Sequence, residues 1–138
     1  MKLNSFLLLS TCVGTMLLSG CVGTIDGRKA AGVPFTKDKL ERRYERTTHE
    51  IWDAAKDVLK YNGRLYSEDM VQSTLEATVD QRTVWVRIEE VDPKVSKVTV
   101  QARTKAGLGD VETASWIIEQ IGVRLVTGGM PPKTPAVK

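Results

Sequence analysis

Residues 73–104 read STLEATVDQRTVWVRIEEVDPKVSKVTVQART, and this stretch decides the fold. Three runs inside it repeat with a period of two. Ser73–Val79 sets Leu75, Ala77 and Val79 against Thr74, Glu76 and Thr78. Thr83–Glu90 sets Val84, Val86 and Ile88 against Thr83, Trp85, Arg87 and Glu89. Val95–Thr104 sets Val98, Val100 and Ala102 against Lys97, Thr99, Gln101 and Arg103. Successive side chains of a strand point to opposite faces, so each run has one apolar and one polar face. Asp80-Gln81 and Asp92-Pro93 supply the turns. Short strands, one wet face and tight connections predict an antiparallel meander.

Upstream, Arg64–Asp69 is short and ends in a polar turn, a further strand of the meander. Before it, Thr47 and Glu50 form a capping-box pattern, in which each side chain satisfies a free N–H at a helix start. The helix that follows places Ile51, Ala54, Ala55, Val58 and Leu59 on one stripe. Asn62-Gly63 ends it, a pair suited to a left-handed cap. Leu40–Arg46 reads as a short first strand. Downstream, Gly107–Asp110 breaks the alternation and Asp110 is a good N-cap. A last helix turns Val111, Ala114, Ile118, Ile121 and Leu125 inward, with Gly122 as a flaw in it. Neither helix buries its stripe alone, so both should lie on the apolar face of one sheet. The expected fold is α+β: two layers, a mostly antiparallel four- to five-stranded sheet, and two helices packed on one face.

The chain has 138 residues, 41% of them hydrophobic and 27% charged, enough for one domain with extensions. Both cysteines, Cys12 and Cys21, lie in the first 21 residues, which leaves nothing downstream for a disulfide or a thiolate metal site. Met1–Ser5 carries one basic side chain, Lys2, and Phe6–Leu18 is mostly apolar. A charged start, an apolar run of about a dozen residues and a small-residue exit make a secretory signal. That run is shorter than the roughly 20 residues that span a bilayer core. The exit, Leu18-Ser19-Gly20-Cys21, resembles the bacterial lipobox. The resemblance implies cleavage before Cys21, a diacylglycerol thioether on its sulfur and a fatty acyl group on its amine. Val22 stands where an Asp would favour retention at the inner membrane, so the resemblance implies the periplasmic face of the outer membrane. Residues 1–20 are thus expected to be removed, and without Lys2 the chain keeps 19 basic against 17 acidic side chains.

Residues 21–39, rich in Gly, small residues and charge, read as a flexible tether, and a coil of that length spans roughly 25 Å. Residues 40–126 form the domain. Residues 127–138, with Gly-Gly and three prolines, read as a disordered tail. The lipobox, the glycine-rich tether, the Thr47–Asn62 helix, the alternating strands and the closing helix together resemble a family of small bacterial lipoproteins of unknown function. That resemblance covers Leu40–Val126 and carries no catalytic residue to transfer.

The search for chemistry yields little. The single histidine, His49, lies in the first helical turn and reads as solvated. No second His or Cys is present to build a zinc site. Ser73 and Ser115 lack an evident His partner. Glu89, Glu90 and Asp92 do not have calcium-loop spacing, and Gly107-Leu108-Gly109 lacks the third glycine and the lysine of a phosphate loop. No cofactor is expected beyond the acyl groups on Cys21. The weak, unclustered basic balance and the compartment argue against nucleic acid.

A binding face is the better reading. Trp85, Arg87, Thr99, Gln101 and Arg103 share the polar side of the meander, and a large aromatic with arginines is the composition of interface hot spots. Trp85 could instead simply cover the sheet or be shielded by the tether. Trp52 and Trp116 read as core-edge packing, and the Lys37–Arg46 run as a solvated face. The expected function is therefore a membrane-anchored, non-enzymatic envelope module that binds another envelope protein, the cell wall or a second copy of itself. The alternative is an envelope hydrolase or carbohydrate-active enzyme, which would need Glu68, Asp69 and Glu76 to converge.

Overall fold

The computed structural model describes residues 21–27, 29–31 and 38–129. Residues 1–20, expected to be a signal, residues 28 and 32–37 of the expected tether, and residues 130–138 of the expected tail lie outside the described residues. Among the described residues, seven strands and two helices follow in order: β1 Cys21–Gly23, β2 Lys29–Ala31, β3 Lys39–Tyr44, α1 Thr48–Asn62, β4 Arg64–Asp69, β5 Thr74–Val79, β6 Arg82–Asp92, β7 Val95–Arg103 and α2 Val111–Thr127.

The main sheet has the order β3-β7-β6-β5-β4 and every pair is antiparallel. The expected meander is β4 to β7, with β3 added along the free edge of β7. The β5–β6 turn is tight because Asp80 and Gln81 both take positive φ, 45° and 64°. A two-residue loop of that hand matches the twist of the strands it joins. Leu75, Ala77, Val79, Val84, Val86, Ile88, Val98, Val100 and Ala102 all fall on one side and are buried. Both helices cover that side, α1 over β4 to β6 and α2 over β7 and β3. The two-layer α+β architecture is as the periodicity predicts.

The helix starts follow their sequence signals. Thr47 and Glu50 form the reciprocal capping box, and the Asp110 side chain accepts the Thr113 N–H at 2.9 Å. The stripe of α1 is buried as expected, from Ile51 to Leu59. In α2 the buried set is Ala114, Ile117, Ile118 and Ile121; Val111 is exposed and Leu125 only partly covered. The inward face is thus rotated toward Ile117, because α2 must pack against α1 as well as the sheet.

Two glycines have reasons the sequence does not display. Gly63 does not adopt a left-handed cap; its backbone is extended, with φ −163°. Glycine is needed there for space, since a Cβ would stand 2.1 Å from the Thr78 carbonyl oxygen. Gly122 lies under the Tyr44 ring, whose hydroxyl donates to the Ile118 carbonyl at 2.7 Å. The apparent flaw in α2 is the seat of an aromatic from β3.

The tether expectation needs correction. β1 and β2 pair antiparallel as a second, two-stranded sheet, with Cys21 opposite Ala31 and Gly23 opposite Lys29. Its turn is closed by the Gly27 N–H donating to the Thr24 carbonyl at 3.1 Å, with Gly27 at φ 81°. The Thr24 hydroxyl donates to the Asp26 carboxylate. Thr24, Ile25 and Asp38 are buried. Strands of three residues are too short to show alternation, so one apolar side chain and a few specific polar bonds dock a stretch that has no periodic signature.

Candidate functional site

Strand parity brings Trp85 and Arg87 on β6 beside Thr99, Gln101 and Arg103 on β7, as predicted. Trp85 lies opposite Gln101, and Arg87 opposite Thr99. The structure does not leave this face open. Trp85 is 5% exposed, Thr99 5%, Gln101 0% and Arg103 3%. Only the Arg87 side chain keeps substantial exposure, at 41%. The expectation of an accessible interaction face fails here, and the shielded reading holds: the stretch from Thr24 to Asp38 supplies groups that cap the face.

The capping chemistry is specific. Gln101 sits at its centre and uses both ends of its amide. Its Oε1 accepts the Ile25 N–H at 3.0 Å, and its Nε2 donates to Asp38 Oδ2 at 2.6 Å. Arg103 Nε donates to the same carboxylate oxygen at 2.7 Å, and Arg87 Nη1 donates to the Ile25 carbonyl at 3.3 Å. The Asp38 and Arg103 side chains are 7% and 4% exposed, so this ion pair is a buried one. Such a pair repays the loss of hydration only when further hydrogen bonds complete it, which Gln101 does for Asp38. Three donors of this face, Trp85 Nε1, Arg87 Nε and Arg103 Nη1, are buried with no hydrogen-bond partner among the described residues. Ile25 and Asp38 are the residues that sequence reasoning missed. Ile25 was legible as the lone bulky apolar residue between Val22 and Val33; Asp38, between two lysines, looks like any solvated charge.

The carboxylates proposed for an enzyme do not share a task. Glu68 accepts from Lys56 Nζ at 2.6 Å, Asp69 holds the β4–β5 turn through the Val71 and Gln72 N–H groups, and Glu76 accepts from the Tyr66 hydroxyl at 2.9 Å. Burial, and then the Glu76 carboxylate, push the Tyr66 hydroxyl up to about 12. His49 stands in solvent with Nδ1 3.1 Å from Asp53 Oδ2. Among the described residues no group of three or more His, Cys, Asp or Glu side chains is placed to hold a metal ion.

A cleft of ≈ 690 Å³ lies elsewhere, between the end of β3 and the last turns of α2. Tyr44, Gly122, Val123, Leu125 and Val126 line it, with Arg42 and Glu119 at its rim. Val126 is 84% exposed. Burial raises the Tyr44 hydroxyl above its ordinary range, so it is a neutral donor at physiological pH. An open apolar trough with a few charges at its edge can take an apolar segment; it offers no arrangement of nucleophile and base.

Residues 2–123 match a family described as Protein of unknown function (DUF3568). The chain belongs to that family. The match runs through the apolar run of residues 6–18, Cys21, the β1–β2 hairpin and the sheet, and stops inside α2. No curated protein matches the sequence.

Proposed function

We propose that this DUF3568 chain is an envelope lipoprotein, attached through acyl groups on Cys21, whose domain is a non-enzymatic binding or structural module. The observation that carries the reading is Leu18-Ser19-Gly20-Cys21 directly after the apolar run. One further fact supports it. The family match begins at residue 2 and includes the leader. Two or three long acyl chains on one residue anchor durably, because each buried methylene contributes about 0.8 kcal/mol. Val22 after the cysteine favours the outer membrane. The non-enzymatic half of the reading draws on the work the polar groups already do: Glu68, Asp69, Glu76 and Asp38 each hold a local piece of the fold.

The test is Cys21→Ser in the full precursor, expressed in a bacterium that processes lipoproteins and fed a labelled fatty acid. The wild-type chain should take up label and fractionate with membranes. The variant should stay unprocessed and unlabelled. Equal labelling and fractionation of the two chains would sink the reading.

A further inference from the structure

Resting on the lipid-anchor reading, we propose that the domain does not swing on its anchor but is clamped with the capped face of its sheet toward the bilayer and its helices pointing away. The surface that meets the headgroups is the layer formed by β1, β2 and the polar side of the main sheet.

Ile25 is fixed by both of its backbone groups, the N–H to Gln101 on β7 and the carbonyl to Arg87 on β6. It therefore sits over the middle of the five-stranded sheet, on the side opposite the helices. Cys21 is four residues earlier, and a fully extended chain advances about 3.3–3.6 Å per residue. The acylated sulfur must then lie within roughly 14 Å of that central point, plus one side chain. Cys21–Gly23 is committed to pairing with Lys29–Ala31, so this short run is not a free coil. The helices, each about 10–12 Å across with its side chains, fill the far side of the sheet. A free coil over residues 21–39 would let the domain turn any face to the membrane; a clamp four residues from the lipid does not.

Charge acts in the same direction through the helices. Helices α1 and α2 together carry three basic and five acidic side chains, whereas strand register collects six basic and five acidic side chains on the polar side of β3 to β7. Anionic lipid repels the helix layer more than the strand face, and the effect acts only within a Debye length of the surface.

The lipidated protein itself provides the assay. Cys12 leaves with the signal and Cys21 is blocked by its acyl group, so an introduced cysteine is the only free thiol. Spin labels go on Glu41→Cys, exposed on the capped side opposite Thr99, or on Lys60→Cys, exposed on α1. The labelled proteins are reconstituted into vesicles of phosphatidylethanolamine and phosphatidylglycerol containing a few per cent of a nickel-chelating lipid. The position-41 label should relax at least about threefold faster than the position-60 label, given the diameter of a helix between them. Ten Gly/Ser residues inserted between Cys21 and Val22 give up only the Cys21–Ala31 pairing, keep Val22 and Gly23 opposite Ala30 and Lys29, and lengthen the link by roughly 18 Å; they should bring the two rates together. Equal rates without the insertion, a faster rate at position 60, or a difference that survives the insertion would each overturn the clamp. Protein that fails to float with the vesicles refutes the anchor, and the orientation with it.

Discussion

Removing the Asp38 carboxylate, as in Asp38→Ala, exposes how tightly the N-terminal stretch is held. Asp38 Oδ2 accepts from Gln101 Nε2 and Arg103 Nε, and neither donor side chain reaches bulk water. The guanidinium of Arg103 stays charged at any workable pH. Stranding a buried charge costs about 3–5 kcal/mol when the surroundings cannot relax. The chain has an escape: the stretch that covers the face can lift and let water in. The loss of global stability is then capped at the docking free energy of this stretch, which rests on Ile25, Thr24 and the four polar bonds. The expected outcome is a loss of roughly 2–4 kcal/mol, or earlier opening of residues 21–38 at a lower denaturant concentration than the sheet. Urea unfolding of the mature chain with Cys21→Ser, read alongside hydrogen exchange at the Ile25 amide, separates the two. Replacing both charges, as in Asp38→Leu with Arg103→Met, should recover most of the loss, since an apolar pair of similar volume replaces a buried ion pair at little cost. An Asp38→Ala chain with wild-type stability and unchanged Ile25 protection would refute the reasoning, as would a double variant worse than either single one.

Two other outcomes follow from particular contacts. Gly63→Ala drives a methyl into the Thr78 carbonyl and should cost about 1–3 kcal/mol, while Gly122→Ala, only in van der Waals contact with the Tyr44 ring at 3.5 Å, should be neutral or gain up to about 1 kcal/mol; thermal melts that show no difference between the two would contradict the geometry. Burial pushes the Asp110 carboxyl up, but the Thr113 backbone bond and Arg82 outweigh it and hold it below its ordinary range. Its contribution is then present above the unfolded-chain value and lost as pH falls through the folded one. Asp110→Asn, which keeps the cap acceptor but not the charge, should be roughly 1 kcal/mol less stable at pH 7, with the gap closing as the solution is taken from pH 7 to below the ordinary aspartate range. A gap of the same size at both ends of that range would show that the carboxylate charge is irrelevant.

How much was legible depended on whether a signal repeats. The meander, both N-caps and the α1 stripe each rest on several residues at fixed spacing, and the structure keeps them. Gly63 and Gly122 are single positions whose neighbours, Thr78 and Tyr44, come from elsewhere in the chain, so no local pattern reveals what they are for. The Trp85 row was correctly grouped by parity, but grouping says nothing about what lies on top of it.

Sequence by itself determined the secondary structure from β3 to α2, the side of the sheet that carries the core, and the position of Cys21 against the apolar run. These are local quantities, set by periodicities of two and 3.6 and by caps within a few residues. Tertiary structure alone decided that the polar side of the sheet is covered. That outcome depends on bonds between residues 62 to 76 positions apart, from Ile25 to Arg87 and Gln101 and from Asp38 to Gln101 and Arg103. A buried polar group is tolerated only where its partners meet it in space, and their meeting is written in the fold, not in the neighbourhood of any one of them.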